Sequence, residues 1–237
     1  MEFLISIFNT ILYQPLLNAL ILLYEYLPGH DFGVAVIVLT ILIKVLFYPL
    51  GVKAIKSQKA LSELQPKIKE IQEKYKSDKE KQTKEIMALY KKEKINPFTG
   101  CLPLLVQLPV LLALYRVFWS GLQPEQMAFL YNFVPFPGIV DPTFFGIVNL
   151  AQPNIVLALL AGVAQFIQVK MSAPKTKPDK NSGFAGQMQK QMQYFMPAFM
   201  VLILFRLPSA VGLYWLTTTL FTIVQQYCIL KKQPEPQ

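Results

Sequence analysis

Lys44 is the one basic residue in an apolar run, Phe32 to Leu50, that is long enough to cross a bilayer. A charged side chain at that depth costs about 2.5–3.5 kcal/mol on insertion scales, so such residues turn toward a bundle interior or a wet cavity and mark a functional site. The chemistry open to a lone lysine there is electrostatic: it attracts an anion or a carboxylate. Thr40 lies one turn earlier on the same helical face. A plainer reading competes with this one. Lys53 lies nine residues further on, about 13 Å along a helix, and a lysine stem recovers part of such a distance by snorkelling toward the headgroups.

Other chemistries find little support. A serine–lysine dyad is weak, because Ser120 and Ser209 fall at the opposite edge of the membrane from Lys44. A solute channel or transporter using Lys44 as an anion site needs a continuous path and usually internal repeats, and no repeat is visible. Cys101 and Cys228 have no CxxC spacing and His30 is the only histidine, so neither a metal centre nor a disulfide framework is expected. The chain has no GxxxxGK[ST] phosphate loop. No cofactor is expected.

The elements that must position Lys44 follow from composition. The chain is 53% hydrophobic and only 16% charged, with a net charge of +9, whereas soluble domains average about 25% charged residues. Basic clusters at 53–94, 170–190 and 231–232 alternate with apolar stretches. That is the pattern of an integral membrane protein whose basic loops stay in the cytosol. A basic face also suits nucleic acid or anionic lipid, but the positive-inside explanation needs fewer assumptions.

The expected fold is all-α, with five transmembrane helices at 32–52, 98–120, 154–171, 191–207 and 208–230. Residues 1–31 read as an external amphipathic helix and turn: Glu2, Ser6, Asn9 and Tyr13 share one stripe, and Pro15 should break or kink it. A true span at 3–27 is the alternative. Neither a basic n-region nor a cleavage site marks a secretory signal. Residues 53–97 carry 13 Lys against 7 Asp plus Glu. Two apolar stripes, Leu61-Leu64-Ile68-Ile71 and Ile86-Leu89-Tyr90, predict a cytosolic helical hairpin that turns at Ser77-Asp78. Residues 121–153 read as an external loop with interfacial anchors at Trp119, Phe133, Phe136, Phe144 and Phe145. Residues 172–190 read as a cytosolic loop and 231–237 as a cytosolic tail. Five spans then put the N-terminus outside and the C-terminus inside, with Arg206 the one basic residue placed outside.

Several ordered motifs carry a resemblance. They include Lys44-Val-Leu-Phe-Tyr-Pro-Leu50, Leu64-Gln-Pro-Lys-Ile68 and Met87-Ala-Leu-Tyr-Lys91. The most specific is Asn96-Pro-Phe-Thr-Gly-Cys-Leu-Pro-Leu-Leu-Val-Gln-Leu-Pro109. Later come Phe166-Ile-Gln-Val-Lys-Met171, Phe195-Met-Pro197, Phe205-Arg-Leu-Pro-Ser209, Leu213-Tyr-Trp215 and Gln225-Gln226. Over residues 5–230 the chain resembles the YidC/Oxa/Alb family of membrane protein insertases in its short bacterial form. The resemblance implies a five-span core with a hydrophilic groove, open to cytosol and lipid and closed outside. It also implies a multi-pass protein of the bacterial plasma membrane that is not an enzyme.

Lys44 falls where the family keeps a positive charge. Many bacterial members have arginine there, so lysine departs from the pattern. It keeps the charge but loses the bidentate fork. The tail past Lys232 is short and not basic, unlike the long basic tails with which some members hold ribosomes. The large external domain and leading anchor span of many relatives are absent from this sequence, and no lipoprotein-type cysteine lies near its start.

Gln107, Gln168 and Gln225 are polar residues inside spans. They suit hydration of the groove, or ordinary interhelical hydrogen bonding worth about 0.6 kcal/mol each. By resemblance a greasy slide lies between the third and fifth spans, where Tyr214 and Trp215 contribute; without it, those aromatics read as packing or an interfacial belt. Lys74, Lys76, Lys79, Lys81 and Lys84 on the hairpin suit docking of ribosomes, targeting factors or the incoming chain, or simply a solvated positive-inside loop. The partners implied are nascent membrane proteins, the lipid bilayer and the Sec translocon, and a monomer is compatible with all of these.

Overall fold

The computed structural model describes residues 2–96, 99, 102–120, 123–173 and 194–231. The expected loop at 172–190 and tail at 231–237 lie almost wholly outside the described residues, as do parts of the 96–101 junction. The described chain is helical apart from one two-stranded ribbon.

Helix α1, Glu2–Tyr26, runs on past Pro15, so the expected break does not occur. A π-helical turn at Asn9–Tyr13 precedes the proline. Its wider spacing relieves the contact between the proline ring and the carbonyl four residues back. The polar stripe changes character along its length. Glu2 and Ser6 are exposed, but Tyr13 is fully buried, so the inner end of the stripe faces protein rather than water.

Helix α2, Phe32–Leu46, begins where the Asp31 carboxylate accepts the Val34 N–H at 2.8 Å, a standard N-cap arrangement. It stops short of the expected 52. At Phe47 the chain bends by 68° into α3, Tyr48–Lys74. Pro49 accounts for the break: it has no N–H for the preceding turn and its ring crowds a continuing helix, yet it is compatible with the first turn of a new one. Helix α3 is therefore both the end of the expected first span and the first arm of the hairpin, and it carries Pro66 internally.

The second arm is α4, Lys79–Lys92, capped by Asp78, which accepts the Lys81 N–H at 3.0 Å. Buried Gln82 donates to the Gln72 carbonyl at 2.8 Å and ties the arms together near the tip. Near their other end, Lys67 pairs with Glu93 at 2.7 Å.

Helix α5, Leu102–Ser120, leads to a short 3-10 turn at Pro124–Phe129. The antiparallel ribbon of β1 (Thr143–Phe144) and β2 (Val148–Asn149) follows. Asn154 caps α6, Ile155–Ser172, by accepting the Val156 and Leu157 N–H groups. Helices α7, Met196–Leu204, and α8, Ser209–Lys231, complete the described chain.

Among the described residues, α1 and α6 are long and apolar enough to cross a membrane, and the bent pair α2–α3 adds a third candidate if it counts as one span. The chain is an all-α membrane protein. Helix α8 is the packing centre, in contact with α2, α3, α5, α6 and α7. The core contains Leu17, Leu20 and Ile21 of α1, Val36 of α2, Leu114 and Val117 of α5, Ala158 and Ala161 of α6, and Val211 and Leu213 of α8. The 123–153 loop closes one end of the bundle. Tyr24 accepts the Asp141 N–H at 3.2 Å, and the second Asp31 oxygen accepts the Phe145 N–H. The Ser209 and Ala210 N–H groups bond the Gln152 and Leu150 carbonyls at 2.9 and 3.0 Å. Phe144 does not act as an outward anchor. Its ring packs so tightly on α2 that a Cβ on Gly33 would lie 2.2 Å from Cδ2.

Candidate functional site

Lys44 lies in the last turn of α2 and points across to α8, half-buried. Its ammonium donates to the Thr222 hydroxyl at 3.0 Å and sits 5.7 Å from the centroid of the Phe221 ring. Among the described residues no carboxylate comes within ion-pair distance of it. Its partners are thus a neutral hydroxyl and an aromatic face, both weak relative to a counter-ion.

Thr222 belongs to a polar stripe that the helical repeat places on one side of α8: Tyr214, Thr218, Thr222 and Gln225. Tyr214 is fully buried and its hydroxyl accepts from Gln107 Nε2 of α5. The Thr218 hydroxyl is buried one turn along, beside the Tyr214 hydroxyl. Gln225 Nε2 donates to the Tyr48 carbonyl at 3.1 Å, at the start of α3 just past the bend. A second stripe faces α6. Gln165 accepts from the Trp215 indole N–H at 3.0 Å and more weakly from Thr219 at 3.5 Å. Gln226 donates to the Ser172 hydroxyl at 3.0 Å.

The expected site residues therefore separate. Lys44, Gln107, Tyr214, Trp215 and Gln225 all converge on α8. Thr40 is buried and spends its hydroxyl on the Val36 carbonyl at 2.6 Å, so it offers Lys44 nothing directly. Gln168 accepts from Gln165 at 3.2 Å and stays on α6. Gln225 packs against the bend: a Cβ on Gly51 would lie 2.9 Å from its amide. Tyr214 faces the core and not a greasy outer surface. The outward apolar residues of α8 are Leu220, Val224 and Tyr227.

Three further residues tie these helices together. Thr222 and Gln165 were hidden because threonine and glutamine are unremarked singly. The i,i+4 recurrence of Tyr214, Thr218 and Thr222 is the signal that finds Thr222; nothing comparable singles out Gln165. Arg116 of α5 is the third. Its guanidinium donates to Asn9 at 2.5 Å and lies 4.3 Å from the Tyr13 ring centroid, which locks α1 to α5.

The hairpin lysines Lys74, Lys76, Lys79, Lys81 and Lys84 are all exposed. Lys74 and Lys81 flank the Tyr75 ring at 5.5 and 5.2 Å, and Lys79 donates to Gln82 at 3.3 Å, so these three gather at the tip. At the base of the hairpin, the hydrogen bond from Lys67, reinforced by its charge, holds the Glu93 carboxyl below its ordinary range.

The profile of the 60Kd inner membrane protein family matches residues 22–236. The chain belongs to this family. It is 39% identical over 202 residues to the membrane protein insertase YidC of Fusobacterium nucleatum, covering 85% of this chain and 87% of that relative. It is 36% identical over 221 residues to the insertase YidC of Syntrophus aciditrophicus, covering 92% of this chain but 36% of that relative. With the insertase YidC of Geobacter metallireducens the identity is 34% over 218 residues, again 92% of this chain and 36% of the other. The chain thus spans nearly all of one relative and about a third of the longer ones.

Proposed function

We propose that this chain is a membrane protein insertase and chaperone of the bacterial inner membrane, with Lys44 as the charge of a cytosol-open hydrophilic groove. The observation that carries the reading is a half-buried lysine in a membrane helix with no carboxylate partner among the described residues. A cation kept that way is available to an acidic group that arrives from outside the fold.

The mechanism follows from solvation. A nascent protein must carry a polar tail across hydrocarbon, where each unsatisfied peptide group costs several kcal/mol. A wet groove beside Lys44 and Thr222 shortens that path. Lys44 attracts acidic residues of the tail more strongly than bulk water would allow. The substrate's apolar segment then leaves sideways into lipid beside the outward face of α6 to α8. Partition into lipid and the membrane potential, about 2.3 kcal/mol per charge per 100 mV, supply the energy. The work is transfer between solvents, not bond chemistry.

Five spans with the N-terminus outside fit this reading. Helix α1 then lies along the outer face, because Tyr13, Asn18 and Tyr24 bond Gln126, Phe129, Tyr131 and Asp141 of one loop. Those contacts extend over twelve residues of α1, Tyr13 to Tyr24, about 16 Å of helix, more than a helix plunging away from the loop would keep. The basic hairpin tip is the docking surface for ribosomes, targeting factors or the Sec translocon.

The test is insertion of a single-span protein with an acidic exported tail into liposomes holding this chain. Wild type and Lys44→Arg should insert it and Lys44→Ala should not. Insertion no better than in protein-free liposomes would refute an insertase that acts alone.

A further inference from the structure

We propose that the loop joining α5 to α6 drives two apolar tips into the headgroup–acyl boundary of the leaflet it faces. The tips share a pattern. One is Phe136-Pro137-Gly138-Ile139 and the other Phe145-Gly146-Ile147. In each, phenylalanine and isoleucine flank a glycine in the left-handed region, with φ of 64° at Gly138 and 65° at Gly146. Ile139 is 98% exposed and Ile147 84%, with Phe133, Phe136 and Phe145 also exposed. A turn that met water would carry Asn, Asp or Ser at such places.

The surroundings identify lipid rather than a protein partner. Residues 121–153 contain no Lys, Arg or His and two acids, Glu125 and Asp141. A protein-docking patch characteristically carries a polar rim and arginine, whereas aromatic and aliphatic side chains without charge suit the membrane interface. The loop is also continuous with membrane-facing surface at both ends. Trp119 projects from the end of α5, and Ile155 and Val156 from the start of α6, all exposed.

The tips are held rather than floppy. Asp31, Tyr24, Gly33 and Ser209 fix the base of the loop, so little conformational entropy remains to be lost on insertion. Anchoring the tips in lipid would hold the start of α2 and the α7–α8 turn at one depth. The inference requires only that the chain is membrane-embedded and stands or falls independently of the insertase reading.

The test uses the full chain in lipid vesicles without other proteins. Single Ile139→Cys and Ile147→Cys variants, made with Cys101→Ser and Cys228→Ser, carry a polarity-sensitive dye; a Lys76→Cys variant on the hairpin tip is the water-exposed reference. At both isoleucine sites the emission should be blue-shifted, quenched severalfold more than the reference by shallow lipid-borne nitroxide, and shielded from aqueous iodide. Iodide quenching equal to the reference would overturn the proposal and leave these tips as a surface for a partner protein. Dye–dye quenching that grows with protein density would also overturn it, in favour of contact between copies.

Discussion

Lys44→Gln should abolish discrimination between acidic and neutral tails, and the size of the effect can be worked from the site. The substitution is one bond shorter but keeps a donor for Thr222 while it removes the charge. A carboxylate 4 Å from an ammonium gains about 1 kcal/mol in water and about 4 kcal/mol at the effective dielectric of a protein surface. Lys44 is half-buried, so the gain lies between these limits, near 2 kcal/mol. At about 1.4 kcal/mol per factor of ten, one Asp in the tail should raise insertion by roughly 30-fold over the same tail with Asn. The assay compares Asp and Asn tails on wild type and Lys44→Gln in liposomes without a membrane potential, which removes the field's own action on the tail. The Asp-to-Asn ratio should be tens in wild type and near one in Lys44→Gln. Equal ratios in both proteins would show that the lysine does not act through its charge, and the groove electrostatics would have to be abandoned.

Thr222→Glu should supply the missing counter-ion, so the Asp-tail advantage should vanish while Lys44 stays in place; an undiminished Asp-to-Asn ratio would contradict this. Gly33→Ala drives a methyl into the Phe144 ring and should cost about 1–3 kcal/mol of overpacking, read by thermal unfolding in detergent and partly relieved by Phe144→Ala. A double-mutant cycle of Arg116→Ala with Tyr13→Leu should give a coupling of about 0.5–2 kcal/mol, the range for a cation over an aromatic face; zero coupling would remove the Tyr13 contact from the α1–α5 lock and leave the Asn9 bond. Glu93 has its carboxyl depressed by Lys67, so the hairpin clasp is present above the ordinary carboxylate range and lost as pH falls through it. Protection of the α4 amides, taken relative to the intrinsic exchange rate at each pH, should therefore fall once the pH drops below the ordinary carboxylate range, and Glu93→Gln should show the lower protection already at neutral pH.

Much of this site was legible as an anomaly. Lys44 stands out because a charge in an apolar run demands an explanation. The bend at Phe47 follows from Pro49, and the Asp78 cap follows from a short polar residue before a helical repeat. Pro15 misled, because a local rule about proline ignores what the preceding turn can do, and the π turn at Asn9–Tyr13 has no sequence signature that would predict it. Arg116 was overlooked for a different reason. It sits near the end of an aromatic-rich span, where a cation looks interfacial, and its partner Asn9 is 107 residues away. The contact of Gln225 with the Tyr48 carbonyl was not legible either, since only the tertiary fold brings the two together.

The placement of Lys44 also explains why α8 is so polar. Of its four threonines and two glutamines, Thr219, Thr222, Gln225 and Gln226 each bond a residue on another helix, and Tyr214 and Trp215 add two more such bonds. Such bonds are individually weak within a membrane, yet together they fix the register of the helix that faces Lys44. A carboxylate at Thr222 would hold Lys44 more firmly than a hydroxyl does, and it would also neutralise the charge available to a substrate. The chain instead carries the desolvation cost of a cation without a counter-ion and offsets it with many neutral contacts around the site. That division, strong packing and weak pairing at the one charge, is what a groove needs if its cation is to bind acidic tails and release them.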